Sequence, residues 1–399
     1  MYDMETLLFD FNLKSSLLLI FFVHGLVFSF LLFRKAIQTE QKESRWLAWF
    51  ILLCALYIAP FMLGYAGWYR EGFLRDTLFY VPFQQLFFIG PVLYFYTRSL
   101  LNPDFRLQKS DWFHFGPGFI YLGFILVVFL TDKIILRRYY FYADGRDMDL
   151  DFWYQFAGLL SMVYYLFLSL RRYQRYRQNA LDTVSFANAI LFDWIPRFLM
   201  AFIVVLFLRV LFFILNPEWG EFGSKFWYYL CFSILFYYIS ISGYVVAVRS
   251  ELPLQMSLFQ QANTSLGVLK KINTIKESIP NGNIENLEEW KQKVIQLMEQ
   301  DKLFENPSLT LSEVAKNLGT TSKQVSQVIN QGFQLNFNDF INEYRTKAVI
   351  EQLKSGAHQL KSLLGIALEC GFNSKSTFNR AFKKVTQQTP KRFIEELES

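Results

Sequence analysis

The distribution of apolar residues divides this chain of 399 residues at about Arg249, and it limits the possible folds more than any other feature. Overall, 53% of the residues are hydrophobic and 19% are aromatic, which is high for a protein that folds in water. Nearly all of this excess lies before Arg249, whereas the rest of the chain is rich in Gln, Asn, Lys and Glu. We therefore expect the first part to fold in lipid and the second in water.

Seven apolar windows in the first part are long enough to cross roughly 30 Å of hydrocarbon as helices. They lie at about Ser15–Phe33, Trp46–Gly64, Leu78–Tyr96, Trp112–Thr131, Phe152–Leu170, Phe198–Leu215 and Trp227–Val248. Lys and Arg are more numerous in the loops after the first, third, fifth and seventh windows than in the alternate loops. Basic loops stay on the cytoplasmic side, so the N-terminus is expected outside and everything after Arg249 in the cytoplasm.

Polar side chains that could bind a ligand are rare within these windows. Arg209 lies more than a turn from either end of the sixth window, and Gln84 and Gln85 lie in the third. Such groups are costly in hydrocarbon and often functional, which makes these three candidates for sensing a signal ligand. The alternative is structural, with Arg209 reaching the headgroups and the glutamines joining helices.

The windows hold neither paired carboxylates nor a metal-ligand pattern. We therefore predict no enzymatic activity, no metal and no cofactor.

Residues 250–285 are predicted to be a linker, because Gly and Pro interrupt them. Within the linker, apolar residues recur at helical spacing and predict a short amphipathic helix: Val268, Leu269, Ile272, Ile275 and Ile279. This helix can pair with a second copy of the chain or pack on its own domain. A second amphipathic helix, from Asn286 to about Gln300, is expected to begin the soluble domain.

Residues 309–331, LTLSEVAKNLGTTSKQVSQVINQ, have the pattern of a helix-turn-helix. Ala315 is small where two helices would cross, and Gly319 suits a left-handed turn between them. Val325 and Val328 would hold the second helix against the first. The spacing alone is a moderate signal, because ordinary helical pairs also show it.

The same pattern recurs in residues 363–384, LLGIALECGFNSKSTFNRAFKK. Ala367 and Gly371 repeat the first spacing, and Phe378 and Ala381 repeat the second, with a turn one residue longer. Residues 337–353 have helical periodicity and are predicted to connect the two motifs rigidly.

With these two motifs, the chain resembles the AraC/XylS family of transcription regulators. The resemblance covers about residues 309–393, and GFNSKSTFNRAFKKVTQQTP (371–390) is similar to the family signature. Thr386 and Gln387 stand where the family usually has Phe and Gly, and Ile394 where it often has Arg. The whole arrangement resembles the membrane-anchored branch of that family.

The charges agree with this resemblance, because residues 373–392 hold six Lys or Arg residues and no acidic residue. Such a stretch attracts phosphates. The resemblance implies base contacts from the outward positions of the two recognition helices: Lys323, Ser326 and Gln327, and Ser376, Asn379 and Arg380. Phosphate contacts are expected from Thr321, Ser374, Lys383 and Lys384.

The sequence thus predicts an all-α protein, a seven-helix transmembrane bundle (1–249) joined by the linker (250–285) to a soluble double helix-turn-helix domain (286–399). We expect a one-component transcription regulator in the bacterial inner membrane that binds promoter DNA under the control of a membrane signal. Its expected partners are double-stranded DNA, the lipid bilayer, an unknown signal ligand, a second copy of the chain and RNA polymerase. The alternative is a membrane receptor or transporter whose cytoplasmic tail binds protein.

Overall fold

The computed structural model describes residues 9–70, 73–102, 105–143, 148–187, 191, 194–215, 222–249 and 286–398, and its regular elements there are helices. These residues form two compact units. The first lies within Met1–Tyr173 and Asp193–Arg249, and the second within Gln174–Phe192 and Ser250–Ser399. The predicted linker, with its apolar stripe from Val268 to Ile279, lies outside the described residues.

The described helices of the first unit, most of them long and apolar, are α1 (Leu13–Gln38), α2 (Lys42–Tyr65), α3 (Phe73–Leu78), α4 (Leu86–Leu100), α5 (Gly116–Phe129), α6 (Phe152–Thr183), α7 (Trp194–Val210) and α8 (Phe222–Arg249). A 3₁₀ turn (Lys109–Phe115) precedes α5, and π-helical turns (Leu130–Ile135 and Leu211–Leu215) extend α5 and α7. The last residues of α6, from Gln174, are grouped with the second unit.

Within the described residues, six helical segments are long and apolar enough to cross a membrane, and the third predicted window is not one of them. That window becomes the 15-residue helix α4, which is about 22 Å long, and residues 79–85 before it are not helical. Pro82 accounts for the break, because proline lacks an N–H and disfavours helical backbone in the residue before it. The seven predicted windows therefore correspond to six long helices and one short one.

The long helices direct large apolar side chains outward. Ile20, Phe30, Ile120, Phe167 and Phe207 are each more than half exposed. By contrast, 78% of the apolar window of α2 is buried, so this helix supplies much of the unit's interior. An exposed apolar perimeter of this kind is costly in water and suits hydrocarbon.

The second unit contains α9 (Leu287–Glu299), α10 (Leu311–Asn317), α11 (Ser322–Phe333), α12 (Phe337–Lys354), α13 (Leu363–Glu369), α14 (Lys375–Thr386) and α15 (Pro390–Glu398). The helix predicted from Asn286 to Gln300 is α9, and its Val294 and Met298 are fully buried. The pairs α10–α11 and α13–α14 are the two helix-turn-helix motifs.

Helix α12 joins the two motifs by taking part in both of their cores. Its Phe340 and Ile341 pack in the first core with Val325 and Val328 of α11. Further along, Val349 and Leu353 pack in the second core with the residues of α13 and α14, including Phe378. One continuous helix therefore fixes the spacing between the two motifs.

The two turns between the paired helices begin in the same way, although the second is one residue longer. Gly319 has φ +63° and Gly371 has φ +89°, the left-handed region that favours glycine. The Thr320 N–H donates to the Ala315 carbonyl at 2.9 Å, and the Phe372 N–H donates to the Ala367 carbonyl at 3.0 Å. This is a Schellman ending, and it satisfies a carbonyl that the helix leaves unpaired.

The surroundings of these two glycines differ, which gives a matched test of the fold. A Cβ atom at Gly319 would meet nothing within 4 Å, whereas one at Gly371 would collide with the backbone of Phe304 and Glu305. We expect Gly319→Ala to cost about 1 kcal/mol of unfolding free energy from backbone strain alone. Gly371→Ala should cost about 3 kcal/mol or more, because backbone atoms must move. Proteolysis of the full-length chain in increasing urea measures both losses, and equal losses would contradict this packing.

Candidate nucleic-acid interface

The two recognition helices, α11 and α14, begin in the same way. The Thr321 hydroxyl accepts the Gln324 N–H at 3.3 Å, and the Ser374 hydroxyl accepts the Thr377 N–H at 3.2 Å. Both residues are therefore N-caps, which hold the first turn of each helix. Their hydroxyl groups already have a structural role beside the phosphate contact predicted from the sequence.

The predicted base-contacting residues occupy the same positions relative to the two N-caps. Two, five and six residues after the cap stand Lys323, Ser326 and Gln327 on α11, and Ser376, Asn379 and Arg380 on α14. The residue four positions after the cap, Val325 or Phe378, is buried in its motif's core. The three positions on α14 are exposed, and those on α11 are half-buried. Each helix thus buries one face and keeps these polar side chains on the other.

Two further residues on this surface are not among the individual contacts predicted from the sequence. Nine residues after the caps, exposed Asn330 on α11 corresponds to Lys383 on α14. One residue after the second cap, Lys375 is exposed at the start of α14. The repeat of positions relative to the N-caps would have identified Asn330 from Lys383, whereas Lys375 already belongs to the basic stretch 373–392.

The basic stretch is partly neutralised within the fold. Lys384 lies 2.7 Å from Asp339, Lys391 lies 3.8 Å from Glu395, and Arg392 lies 3.1 Å from Glu396. The three other basic residues make no ion pair with any residue that the structure describes: Lys375, Arg380 and Lys383. These three are exposed on α14 itself, so the free positive charge is concentrated on the second recognition helix.

The left-handed ends of the two recognition helices also match. Gln334 after α11 has φ +57° and Gln387 after α14 has φ +61°. Gln387 is the position where the resembled family usually has Gly, and the structure gives it a backbone conformation that Gly would adopt without strain. The glutamine side chain bonds to the Lys384 carbonyl at 3.0 Å. The departure from the family pattern therefore leaves the turn intact.

In the first unit, the polar candidates Gln84 and Arg209 belong to one buried cluster, joined by Gln155 of α6. The Arg209 guanidinium donates to the Gln155 side-chain oxygen at 2.5 Å, and Gln155 donates to the Gln84 side-chain oxygen at 2.7 Å. The Gln84 amide in turn donates to the Tyr229 hydroxyl at 3.0 Å, and the Gln84 backbone N–H donates to the Asp149 carboxylate at 2.9 Å. Arg209 is only 4% exposed, which argues against a side chain that reaches the headgroups.

Gln85 does not join this cluster, because its amide nitrogen bonds to the Pro82 carbonyl at 2.5 Å. Beside the cluster lies a cavity of about 20 Å³, lined by Arg209, Tyr228, Cys54 and apolar side chains. That is room for about one water molecule. The described residues contain no group of three or more side chains that could hold a metal ion.

Comparison with known proteins identifies relatives of the C-terminal part. Residues 314–396 match a family described as a helix-turn-helix domain. Over 101 residues, 24% of this chain, the sequence is 31% identical to the probable transcription factor PqrA of Proteus vulgaris, and the match covers 76% of that protein. Uncharacterized HTH-type transcriptional regulators of Staphylococcus aureus, in strains COL and MSSA476, are 31% identical over 102 residues. This match covers 25% of the chain but only 13% of those relatives. No solved structure matches significantly.

The double role of Ser374 can be separated by two substitutions. Ser374→Ala removes the cap and should cost about 1 kcal/mol of unfolding free energy, whereas Ser374→Asp keeps a capping oxygen and should cost little. If the residue lies against a phosphate, the added negative charge of Asp should weaken DNA binding about tenfold or more. Urea denaturation and DNA titration of both variants test this separation. Normal DNA binding by Ser374→Asp would remove this residue from the phosphate contacts.

Proposed function

Because the chain belongs to the AraC-type helix-turn-helix transcription regulators, which are not enzymes, we propose that it regulates transcription from the bacterial inner membrane. In this proposal the second unit binds promoter DNA sequence-specifically, and the apolar helices respond to a signal. The observation that carries it is the pair of recognition helices, which present polar side chains at equal distances from equal N-caps.

The chemistry of those side chains suits base recognition. Arg and Lys donate to guanine, and Gln and Asn can pair with adenine. We assign base contacts to Lys323, Ser326, Gln327, Ser376, Asn379 and Arg380, and phosphate contacts to Thr321, Ser374, Lys383 and Lys384. Lys384 must compete with its ion pair to Asp339, so Lys375 and Lys383 are the stronger phosphate ligands.

The rigid connection by α12 supports a paired binding mode. Because this helix has residues in both cores, the two recognition helices cannot reorient independently without breaking one core. We propose that they enter successive major grooves on one face of the DNA, about 34 Å apart. A fixed spacing of this kind can also bend the DNA toward the protein.

The proposed membrane location is supported by the six long apolar segments with their exposed apolar perimeter. Following the basic loops, and counting the short helix α4 as a seventh crossing, we place the N-terminus outside and the DNA-binding domain in the cytoplasm. Tethering also raises the effective concentration of two domains on a paired DNA site, which favours a homodimer. The stripe that would pair lies in residues 250–285, outside the described residues. Contact with RNA polymerase is part of the same proposal.

DNA recognition is tested with the full-length protein in detergent, after its binding sites have been found by genome-wide binding. Arg380→Ala should weaken specific binding at least tenfold and relax the preference at one base pair. Lys383→Ala should weaken binding to all sequences and reduce the slope of log affinity against log salt concentration by about one.

Lys391→Ala is the matched control, because Lys391 is paired with Glu395, and its binding should change little. If the wild-type protein binds no DNA at low salt, the tail is instead an interaction module, as in the receptor or transporter alternative.

We propose the buried cluster of Arg209, Gln84 and Gln155 as the place where the signal acts, with Gln85 apart from it. A buried guanidinium held by neutral oxygens is costly to rearrange, so the cluster favours discrete states. Arg209→Met should leave DNA binding by the purified protein unchanged but fix a target-promoter reporter at one level across growth conditions. Arg197→Met, on the exposed face of the same helix, is the control and should respond normally. A normal response by Arg209→Met would remove the cluster from signal detection.

A further inference from the structure

The second unit includes a piece of chain that sequence reasoning placed in the membrane part, between the fifth and sixth predicted spans. We call residues 174–187 the docked segment. Within it, Ala180, Val184, Ser185, Phe186 and Ala187 are completely buried. A surface loop would leave such residues exposed, so the segment has a packing partner.

The partner is the start of the first helix-turn-helix motif. The Ser185 N–H donates to the Leu309 carbonyl at 3.1 Å, and Val184 and Thr310 form an antiparallel β-bridge. From α12, the Asn338 amide donates to the Ser185 carbonyl at 2.7 Å. Both the backbone N–H and the backbone carbonyl of Ser185 are therefore paired with residues of the DNA-binding domain.

The strongest contact is made by Arg345 of α12, which is 1% exposed. Its guanidinium donates to the Ser185 hydroxyl at 3.0 Å and to the Ser185 carbonyl at 3.3 Å. It also donates to the Phe304 and Asn306 carbonyls at 2.8 and 2.7 Å. Burial lowers the pKa of Arg345 to about 9, so the group stays charged at neutral pH. A buried charge needs all its acceptors, and Ser185 supplies two of them.

These contacts leave the proposed DNA surface free. The hydrogen bonds described above involve Leu309, Asn338 and Arg345, which lie outside both α11 and α14. In the described hydrogen bonds, the docked segment does not contact the polar side chains that we assign to bases and phosphates. Docking and DNA binding can therefore occur together.

We propose that the docked segment is a second attachment of the DNA-binding domain, in addition to the linker 250–285, and that it passes the membrane signal to α12. The signalling part of this proposal rests on the proposed function, whereas the docking part does not. Helix α6 runs from Phe152 to Thr183, so it contains Gln155 of the polar cluster. Ser185 of the docked segment follows the end of the same helix by two residues. Movement of α6 would thus reach Ser185, and through it the helix shared by both cores.

Docking is tested by disulfide trapping in the full-length protein. Residues paired across an antiparallel bridge have Cα atoms about 4.5–5.5 Å apart, which suits a disulfide. With Cys54, Cys231 and Cys370 replaced by Ala, Val184→Cys with Thr310→Cys should crosslink under mild oxidation. A protease site placed in the linker makes this visible, since the crosslinked halves stay together on a non-reducing gel. Val184→Cys with Ser376→Cys, which lies on the DNA surface, is the control pair and should not crosslink.

A substitution at the buried contact between Ser185 and Arg345 provides a second test of docking. Ser185→Lys places a second positive charge beside Arg345 and should slow crosslinking of the 184–310 pair at least tenfold. Gln178→Lys, at an exposed position of the same segment, should not. Equal crosslinking by the two cysteine pairs, or no effect of Ser185→Lys, would overturn the docking.

A final comparison separates this inference from the proposed function. Trapping is measured first without DNA, so its result does not depend on DNA binding. The trapped protein should then bind its DNA site with unchanged affinity. A loss of binding on trapping, with binding regained on reduction, would overturn the second attachment in favour of an inhibitory contact.

Discussion

The buried guanidinium of Arg345 is the interaction on which the second unit depends. A charged group in a protein interior is tolerated only when its N–H groups all find oxygens. Arg345 finds them on three separate pieces of chain, including the Asn342 side chain of its own helix at 3.2 Å. These are the turn before α10, the helix α12 and the docked segment around Ser185. Removing any one of them would leave a buried charge short of acceptors. The side chain therefore couples elements that hydrophobic packing alone would join less specifically.

The same principle operates in the first unit with different chemistry. In the proposed membrane location, the interior must satisfy its own polar groups, since hydrocarbon offers no hydrogen bonds. Gln84, Gln155 and Arg209 do so for one another across three parts of the chain. The break before α4 belongs to this solution, because the Gln84 backbone, free of a helix, can accept Tyr154 and donate to Asp149. The shortened third helix and the polar cluster are thus two results of one constraint.

The duplicated motif shows how a repeated local pattern acquires different surfaces. Both recognition helices have the same cap, the same buried anchor and the same left-handed end. The first carries mainly neutral polar groups, and the second carries the cations Lys375, Arg380 and Lys383, which make no ion pair within the described part of the chain. The two helices are therefore equivalent in position but unequal in charge. An asymmetric pair of this kind suits a DNA site whose halves contribute unequally to affinity.

The sequence by itself determined the elements whose cause is local. Apolar length predicted the helices of the first part, and the Ala–Gly spacing predicted both turns and the register of Val325 and Phe378, because these depend on residues within one turn of helix. Tertiary structure decided what depends on residues far apart in the chain. It buried Arg209 against Gln155, paired Lys384 with Asp339, and placed Ser185 beside Arg345. The local sequence pattern does not reveal these pairs, since a partner 45 to 160 residues away does not affect the periodicity within one helix.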